Sequence, residues 1–251
     1  MRPPQSAIAA SCWITAAALY LVAEAVSASA FPGYSYATNY ISDLGVPDTE
    51  VFQGRAIDSP LHLLMNTAFV LHGVLFVVAA LAARTLAPGS SMTGRPAARR
   101  WFTVLAVAHG VGIVLVGLFH GSQASVENGL VVLHVVGAAV AITAGNTAAV
   151  FAGAVLLRRT PEQHDRGTRW VGALSIVLGA VGLVGLVMLV VDPAWTTVDL
   201  LPDGIWERVA VYAILAWELL AGVAVIRAAG LRRAAHLHTG TNGRRAERSA
   251  A

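Results

Sequence analysis

The sequence predicts an all-α fold, a polytopic bundle of six transmembrane helices with both termini in the cytoplasm. The 251-residue chain is 56% hydrophobic and only 12% charged, a composition that fits a helical membrane protein and does not fit a soluble domain. It contains six apolar runs, each close to the ~20 residues that a helix needs to cross a hydrocarbon core of about 30 Å. The charges between the runs alternate in sign, and this pattern predicts the orientation.

The six runs form one predicted transmembrane domain, residues 1–230. The first run carries Glu24 and ends in small residues that imitate a signal-peptide cleavage site, but its length favours an uncleaved helix. The fourth and fifth runs carry glycine and alanine at helical spacing, which is typical of close helix contacts in lipid. The tail, 231–251, is rich in arginine and polar residues and is predicted to be a disordered cytoplasmic segment. The spans are expected at about 7–30, 61–83, 101–119, 130–157, 170–191 and 209–226.

The orientation follows from the basic residues, all 17 of which are arginine. Most of them lie in the gap after the second run, in the gap after the fourth run and in the tail, and the positive-inside rule places these segments in the cytoplasm. The other three gaps carry mainly acidic residues and are predicted to face outward. The net charge of +3 comes from these cytoplasmic arginines, which the anionic inner leaflet attracts. No nucleic-acid partner is therefore expected. The sequence does not predict the oligomeric state.

The first outward gap, residues 31–60, is the longest and is expected to form a structured lid. Its tyrosines Tyr34, Tyr36 and Tyr40 suit the headgroup level of a membrane. Proline and glycine interrupt it too often for a long helix. A loop of this length is usually functional or disordered, and its aromatic residues argue against disorder.

Polar and ionisable side chains gather at the predicted outer ends of the second, third and fourth spans. Such residues are costly in lipid, usually face protein and often mark a site. Imidazole and carboxylate groups are ligands that zinc prefers, and a bound zinc ion could ionise a water molecule for hydrolysis. Hydrogen bonding to the loops and ligand binding are the two other interpretations of these residues. The ligand-binding candidates here are Ser59, His62, Asn66 and Glu127, and the metal candidates are His62, His120 and His134.

Three further ionisable residues, His72, His109 and Glu218, are predicted to lie at mid-membrane depth. Hydrogen bonds between helices would satisfy the two histidines, and a haem held between them is conceivable. Glu218 is expected to pair with one of these histidines or to stay protonated. A proton-coupled path is the functional alternative.

A distinctive segment, Asn39-Tyr40-Ile41-Ser42-Asp43-Leu44-Gly45, is accompanied further along the chain by Ser59, Pro60, Asn66, Phe69 to Gly73, His120, His134, Gly137, Gly145 and Asn146. Together these residues resemble the domain of unknown function 998 family, over roughly residues 10–228. The family consists of bacterial and archaeal membrane proteins with about six predicted helices. The resemblance therefore implies six spans and a single membrane domain, but it implies no reaction. It also directs attention to Asp43, the carboxylate expected to fold onto His62, His120 and His134 and to complete a metal site there.

The first hypothesis is a membrane protein with an outer-leaflet polar cavity under the lid, which binds a small molecule or a lipid headgroup. Asp43, Asn66, His120 and His134 are the expected contacts. One alternative is a zinc-dependent membrane hydrolase that uses the outer histidines. The other is a proton-coupled carrier that uses Glu218 and the mid-membrane histidines. The arginine- and alanine-rich composition suggests a bacterial chain, expected in the inner membrane.

Overall fold

The computed structural model describes residues 5–84, 96–158, 166–195 and 200–249. The described part is mainly helical, with one short helix and six long ones that are apolar enough to cross a bilayer. This confirms the predicted all-α fold and its six spans. The helices are α1 (Gln5–Ala30), α2 (His62–Ala83), α3 (Pro96–Leu118), the short α4 (Gln123–Glu127), α5 (Val131–Leu157), α6 (Arg166–Trp195) and α7 (Asp203–Ser249).

Three helices begin about one to two turns before the expected starts of their spans. Helix α3 begins at Pro96 instead of 101, α6 at Arg166 instead of 170 and α7 at Asp203 instead of 209. Each of these starts carries charged residues within its first two turns, which a count of apolar residues misses. The sequence predicts disorder over 231–251, whereas the structure continues α7 as a helix to Ser249. Arginine and alanine are good helix formers, and no proline interrupts this stretch.

The six long helices form a closed ring. Each one packs against the next long helix along the chain, and α7 returns to pack against α1. Glycine residues lie at several of these interfaces, including the one between α2 and α3 and the one between α3 and α5. A Cβ atom on Gly73 would lie 2.6 Å from the carbonyl oxygen of Gly110, and one on Gly112 would lie 2.6 Å from that of Gly137. Glycine therefore lets the backbones of α2, α3 and α5 touch, as expected where lipid gives helices no hydrophobic reason to associate.

Residues 31–60, hereafter the capping loop, cover one end of the ring. The loop contains a 3-10 helix at Ser42–Gly45 and an antiparallel hairpin of β1 (Glu50–Phe52) and β2 (Arg55–Ile57). Gln53 and Gly54, which connect the strands, have φ angles of 50° and 78°, as a two-residue hairpin turn of type I′ requires. The predicted structured lid is thus a small folded unit.

The capping loop shares the hydrophobic core of the helices. Its buried apolar side chains join the same core cluster as Met65 and Phe69 of α2 and Tyr20 of α1. Burying large apolar side chains of this kind contributes about 1.5–3 kcal/mol each, so the loop is held on the bundle by packing. The loop residues in this cluster are Phe31, Ile41, Leu44, Val46, Phe52 and Ile57.

Candidate functional site

Asp43, the carboxylate of the distinctive segment, holds the capping loop together. Its Oδ2 accepts hydrogen bonds from the backbone N–H of Tyr40 (3.0 Å) and from Nδ2 of Asn39 (3.2 Å). Arg55 donates to both oxygen atoms, from Nε at 2.9 Å and from Nη2 at 3.2 Å. These partners all belong to the loop, so none of these bonds directs the carboxylate toward His62, His120 or His134 as the sequence suggested.

Arg55 joins the hairpin to the 3-10 segment through this pair. Its guanidinium also lies over the ring of Tyr40, 4.2 Å from the centroid, a cation–π contact. Burial disfavours the charge, but the hydrogen bonds and negative charge of Asp43 outweigh it and raise the pKa of Arg55 above its usual value. The pair is therefore ionised and ties strand β2 to residues 39–43.

The first turns of α7 fasten the capping loop to the bundle. The hydroxyl of Tyr40 donates to Oδ2 of Asp203 at 2.8 Å, and the backbone N–H of Ile41 donates to Glu207. Burial and the bond to Asp203 raise the pKa of Tyr40, which keeps its hydroxyl protonated as a donor. The loop and the start of α7 therefore form one polar unit.

Arg208 lies at the centre of this unit and is only 7% exposed. Its Nε donates to Oε1 of Glu24 on α1 at 3.1 Å, and its Nη2 donates to the hydroxyl of Tyr34 at 2.5 Å. Its Nη1 lies within 2.7–2.9 Å of three carbonyl oxygens, those of Tyr36, Asn39 and Gly204. Every nitrogen of the guanidinium is thus occupied by the protein, and its charge is balanced by Glu24.

Glu24 has a second partner, because Tyr212 donates to its Oε2 at 2.9 Å. The carboxylate therefore joins α1 to α7 by an ion pair and a hydrogen bond, at the end of the ring that the loop covers. We predicted no role for Glu24 or Arg208 from the sequence, although each was a detectable signal. Glu24 is an acidic residue inside an apolar run, and Arg208 is a basic residue at an otherwise acidic end.

The predicted histidines occupy the same end, but each is tied to a loop or to Asn66. Nδ1 of His62 lies 3.1 Å from the carbonyl oxygen of Ser59, and Nδ1 of His134 lies 2.8 Å from that of Phe119. Nε2 of His120 lies 3.1 Å from Nδ2 of Asn66. These contacts match the interpretation in which the histidines are hydrogen-bonded residues at helix ends.

Asn66 connects this histidine to the distinctive segment, since its Nδ2 also donates to the carbonyl oxygen of Gly45 at 2.8 Å. Its Oδ1 is buried without a hydrogen-bond partner. Ser59 donates to the carbonyl oxygen of Leu44 at 2.6 Å. Both candidates therefore support the capping loop, whereas Glu127 is exposed and bonds Gln123 of its own short helix.

His120 is half-buried, and this changes its protonation. Burial lowers the pKa of His120, and the neighbouring His134 and His62 lower it further. The side chain is therefore neutral at pH 7. Within residues 5–84, 96–158, 166–195 and 200–249, no group of three or more His, Cys, Asp or Glu side chains is positioned to hold a metal ion.

The mid-depth residues meet at the centre of the ring. Nε2 of His72 lies 3.1 Å from Nε2 of His109, and Oε2 of Glu218 lies 3.8 Å from Nδ1 of His72. The imidazoles are in direct hydrogen-bond contact, which leaves no room for a haem between them. The other histidine nitrogens face the carbonyl oxygens of Ala16 and Ala141.

Two crevices open on the sides of the bundle. The first, hereafter the α6–α7 crevice, has a volume of about 600 Å³, within the range of ligand pockets. It is lined by Tyr36, Ala37, Leu178, Val181, Ile205, Arg208, Val209, Tyr212, Ala213 and Ala216. The second, hereafter the α2–α3 groove, lies toward the opposite end, has a volume of about 660 Å³ and includes Arg84, Arg99, Val107 and Val111.

The α6–α7 crevice begins under the capping loop, at Tyr36 and Ala37, and its other lining residues belong to α6 and α7. Asp43, Asn66, His120 and His134 do not line it. The sequence predicted a cavity at this end of the bundle but assigned it other residues. The lining residues Tyr36, Arg208 and Tyr212 could have been noticed only as polar side chains near the ends of two apolar runs.

Comparisons with known proteins give one match. A family model described as Protein of unknown function (DUF998) matches residues 14–224. This range includes the whole capping loop, all of α2, α3, α5 and α6, most of α1 and about the first half of α7. No curated protein and no solved structure matches the chain.

Proposed function

The chain belongs to the DUF998 family of proteins of unknown function, and from this premise we propose that it is a lipid-binding membrane protein. The proposed ligand is a long-chain amphiphile of the external leaflet, which lies in the α6–α7 crevice. One observation carries the proposal: this crevice begins under a folded polar loop and continues between two transmembrane helices.

The depth of the crevice fits a lipid chain. Along α7 its lining extends from Ile205 to Ala216, a rise of about 16 Å at 1.5 Å per residue. The hydrocarbon core is about 30 Å thick, so the crevice is about one leaflet deep. An amphiphile whose apolar chain has that length would have its polar end beside the capping loop.

The walls of the crevice suit an apolar chain. Leu178 and Val181 of α6 face Val209, Ala213 and Ala216 of α7. The alanines leave room between the helices, where larger side chains would fill the crevice. Each contact with an aliphatic side chain gives a small dispersion attraction, and these attractions add up along the apolar chain of the ligand.

The polar end of the crevice indicates which headgroup is expected. Arg208 lines it, but its nitrogens are occupied by Glu24, Tyr34 and backbone carbonyl oxygens. It therefore has little capacity to bind a phosphate group. Tyr36 is 46% exposed and suits the interfacial level of a membrane. We therefore propose an amphiphile held mainly by its chain, with a small polar end near Tyr36.

The location of the protein is part of the same proposal. The arginine pattern supports an outward orientation for the end covered by the capping loop, and the composition favours the inner membrane of a bacterium. The lipid bilayer and the bound amphiphile are the partners that we propose, and no nucleic acid is among them.

Photocrosslinking in proteoliposomes tests the proposal. A diacylglycerol with a diazirine in one acyl chain is incorporated into proteoliposomes that contain the protein. The sample is illuminated, and the labelled positions are mapped by mass spectrometry of peptides. Labelling is expected to concentrate at 178–181 and 209–216, above the level found in the α2–α3 groove at 104–111. Equal labelling of all lipid-facing helices would overturn the proposal.

A matched pair of variants sharpens the test. Ala216 lines the crevice and is exposed, so Ala216→Trp is expected to fill the crevice and remove most of the concentrated labelling. Val223 lies two turns further along α7, is 41% exposed and does not line the crevice. Val223→Trp is therefore the control and is expected to leave the labelling unchanged.

The zinc-hydrolase alternative gains no support from the described residues, which contain no group of three side chains positioned for a metal ion. Metal analysis of purified protein tests it separately. Stoichiometric zinc that is lost in His120→Ala or His134→Ala would favour the hydrolase over the lipid-binding proposal. The carrier alternative depends on Glu218, whose surroundings support a narrower conclusion about a bound proton.

A further inference from the structure

Three ionisable side chains from three helices meet inside the bundle, away from the capping loop and the crevices. Glu218 of α7, His72 of α2 and His109 of α3 are at most 2% exposed. Their nearest aromatic neighbours include Tyr20, whose ring centre lies 5.3 Å from that of His72, and Phe76, 4.3 Å from that of His109. The network is therefore surrounded by protein and cut off from water.

The hydrogen-bond pattern fixes where protons must be. Nδ1 of His109 lies 2.8 Å from the carbonyl oxygen of Ala141, which can only accept. This nitrogen must carry a proton, and Nε2 of a neutral His109 is then an acceptor. The contact of 3.1 Å between the two Nε2 atoms therefore requires a proton on His72.

The third contact needs another proton. With Nε2 protonated, a neutral His72 has a lone pair on Nδ1. That atom faces two acceptors, the carbonyl oxygen of Ala16 at 3.4 Å and the carboxyl group of Glu218 at 3.8 Å. Two neutral imidazoles carry two protons between them, but three contacts require a proton each.

We infer that Glu218 and His72 bind one shared proton in the middle of the bundle. Two arrangements satisfy the count. Either Glu218 is a neutral carboxylic acid that faces Nδ1 of His72 at 3.8 Å, or His72 is an imidazolium that faces the carboxylate of Glu218. Both leave the site with no net charge, which burial in hydrocarbon strongly favours.

The surroundings of the site offer no other ion pair for Glu218. Neither oxygen of its carboxyl group has a hydrogen-bond partner among the described residues, and its closest charged or titratable neighbour is His72. The groups that face the histidines from the other elements are the phenol of Tyr20 on α1 and the carbonyl oxygens of Ala16 and Ala141. The shared proton thus links α7 to α2 at this depth.

The inference does not rest on lipid binding, because Glu218, His72 and His109 do not line the α6–α7 crevice. Removal of the proton would leave an unpaired carboxylate or an unpaired lone pair inside the bundle. Binding and release of this proton by Glu218 and His72 would therefore change how α7 packs against α2 and α3.

Infrared and NMR spectroscopy of the full chain test the inference. Relative to Glu218→Gln, wild-type protein is expected to give one additional signal, either the C=O vibration of a buried protonated carboxyl or the ¹⁵N signal of an imidazolium. Glu218→Gln should abolish whichever signal is present, because the amide Nε2 can donate to His72 without a titratable proton. Glu127→Gln, at an exposed carboxylate, should leave the signal unchanged.

Two results would overturn the inference. One is an ionised Glu218 beside two neutral imidazoles. The other is a pair of spectra, from wild type and Glu218→Gln, that do not differ in either signal. Because glutamine has nearly the shape of glutamic acid and keeps the donor, the variant is expected to fold, and circular dichroism would report its fold independently.

Discussion

Replacing Arg208 with methionine is expected to lower the free energy of unfolding by about 3–5 kcal/mol, the usual effect of breaking one side of a buried ion pair. Methionine keeps much of the aliphatic stem but removes the guanidinium. Glu24 would then be an unpaired carboxylate, held only by Tyr212. Both charged side chains are at most 9% exposed, so solvent screens the pair little.

The same substitution also removes hydrogen bonds that Arg208 donates to backbone carbonyl oxygens. Nη1 of Arg208 donates hydrogen bonds to the carbonyl oxygens of Tyr36 and Asn39 in the capping loop. Hydrogen bonds to charged groups contribute about 1.5–3 kcal/mol each. These contributions overlap with that of the ion pair and do not add to it fully. The decrease in the free energy of unfolding is therefore expected in the upper part of the range of about 3–5 kcal/mol. The capping loop is expected to detach first.

A double-mutant cycle separates the charge from the backbone contacts. Glu24→Gln in the Arg208→Met background removes the unpaired carboxylate, so the double variant is expected to be about 1–3 kcal/mol more stable than Arg208→Met alone. Unfolding in mixed micelles, followed by circular dichroism, gives the four free energies. An Arg208→Met variant within about 1 kcal/mol of wild type would refute this reasoning, as would a double variant no more stable than Arg208→Met.

Three further predictions concern the same end of the bundle. A Cβ atom on Gly45 would overlap the amide of Asn66, so Gly45→Ala is expected to cost about 1–3 kcal/mol of stability and to speed proteolysis of the loop; Gly230→Ala, in open space, should do neither. Asp43→Asn is expected to release strand β2, seen as faster amide exchange across the hairpin; unchanged exchange would contradict the role given to its ion pair. Because the pKa of His120 is lowered in the folded protein, this histidine binds a proton more readily in the unfolded chain, where its pKa is about 6.5. The free energy of unfolding should therefore fall as the pH drops through that value. A stability profile that is flat in this range, equal to that of His120→Asn, would contradict this.

The number and order of the helices were predictable because lipid imposes simple requirements. A span must be about 20 residues long and apolar, and the chain contains six such runs. Glycine and alanine in the fourth run predicted close contacts, and Gly145 and Gly153 do lie against His109 and the backbone of Gly172. These inferences depend on neighbouring residues or on helical spacing, and a sequence displays both directly.

The polar contacts were not predictable in the same way because they join distant parts of the chain. Arg208 and Glu24 are 184 residues apart, and they meet only because the ring closes with α7 beside α1. For Asp43, the unpredicted contact is the one with Arg55, which the hairpin turn at Gln53 and Gly54 returns to it. A turn with two positive φ angles that contains only one glycine gives a weak signal in a single sequence.

The mid-depth network was partly predictable, since an ionisable residue in lipid needs a protein partner. That argument named His72 or His109 as the partner of Glu218, and His72 lies 3.8 Å from it. It could not give the direct contact between the two imidazoles, because the rotation of each helix about its axis is set by packing at Gly73, Gly110 and their neighbours.

Native mass spectrometry of the detergent-solubilised protein is the measurement that tests the proposed lipid site most directly. Wild type and Val223→Trp are expected to retain one amphiphile per chain after delipidation, and Ala216→Trp is expected to lose it. Equal retention in all three proteins, or no bound amphiphile in wild type, would contradict the account.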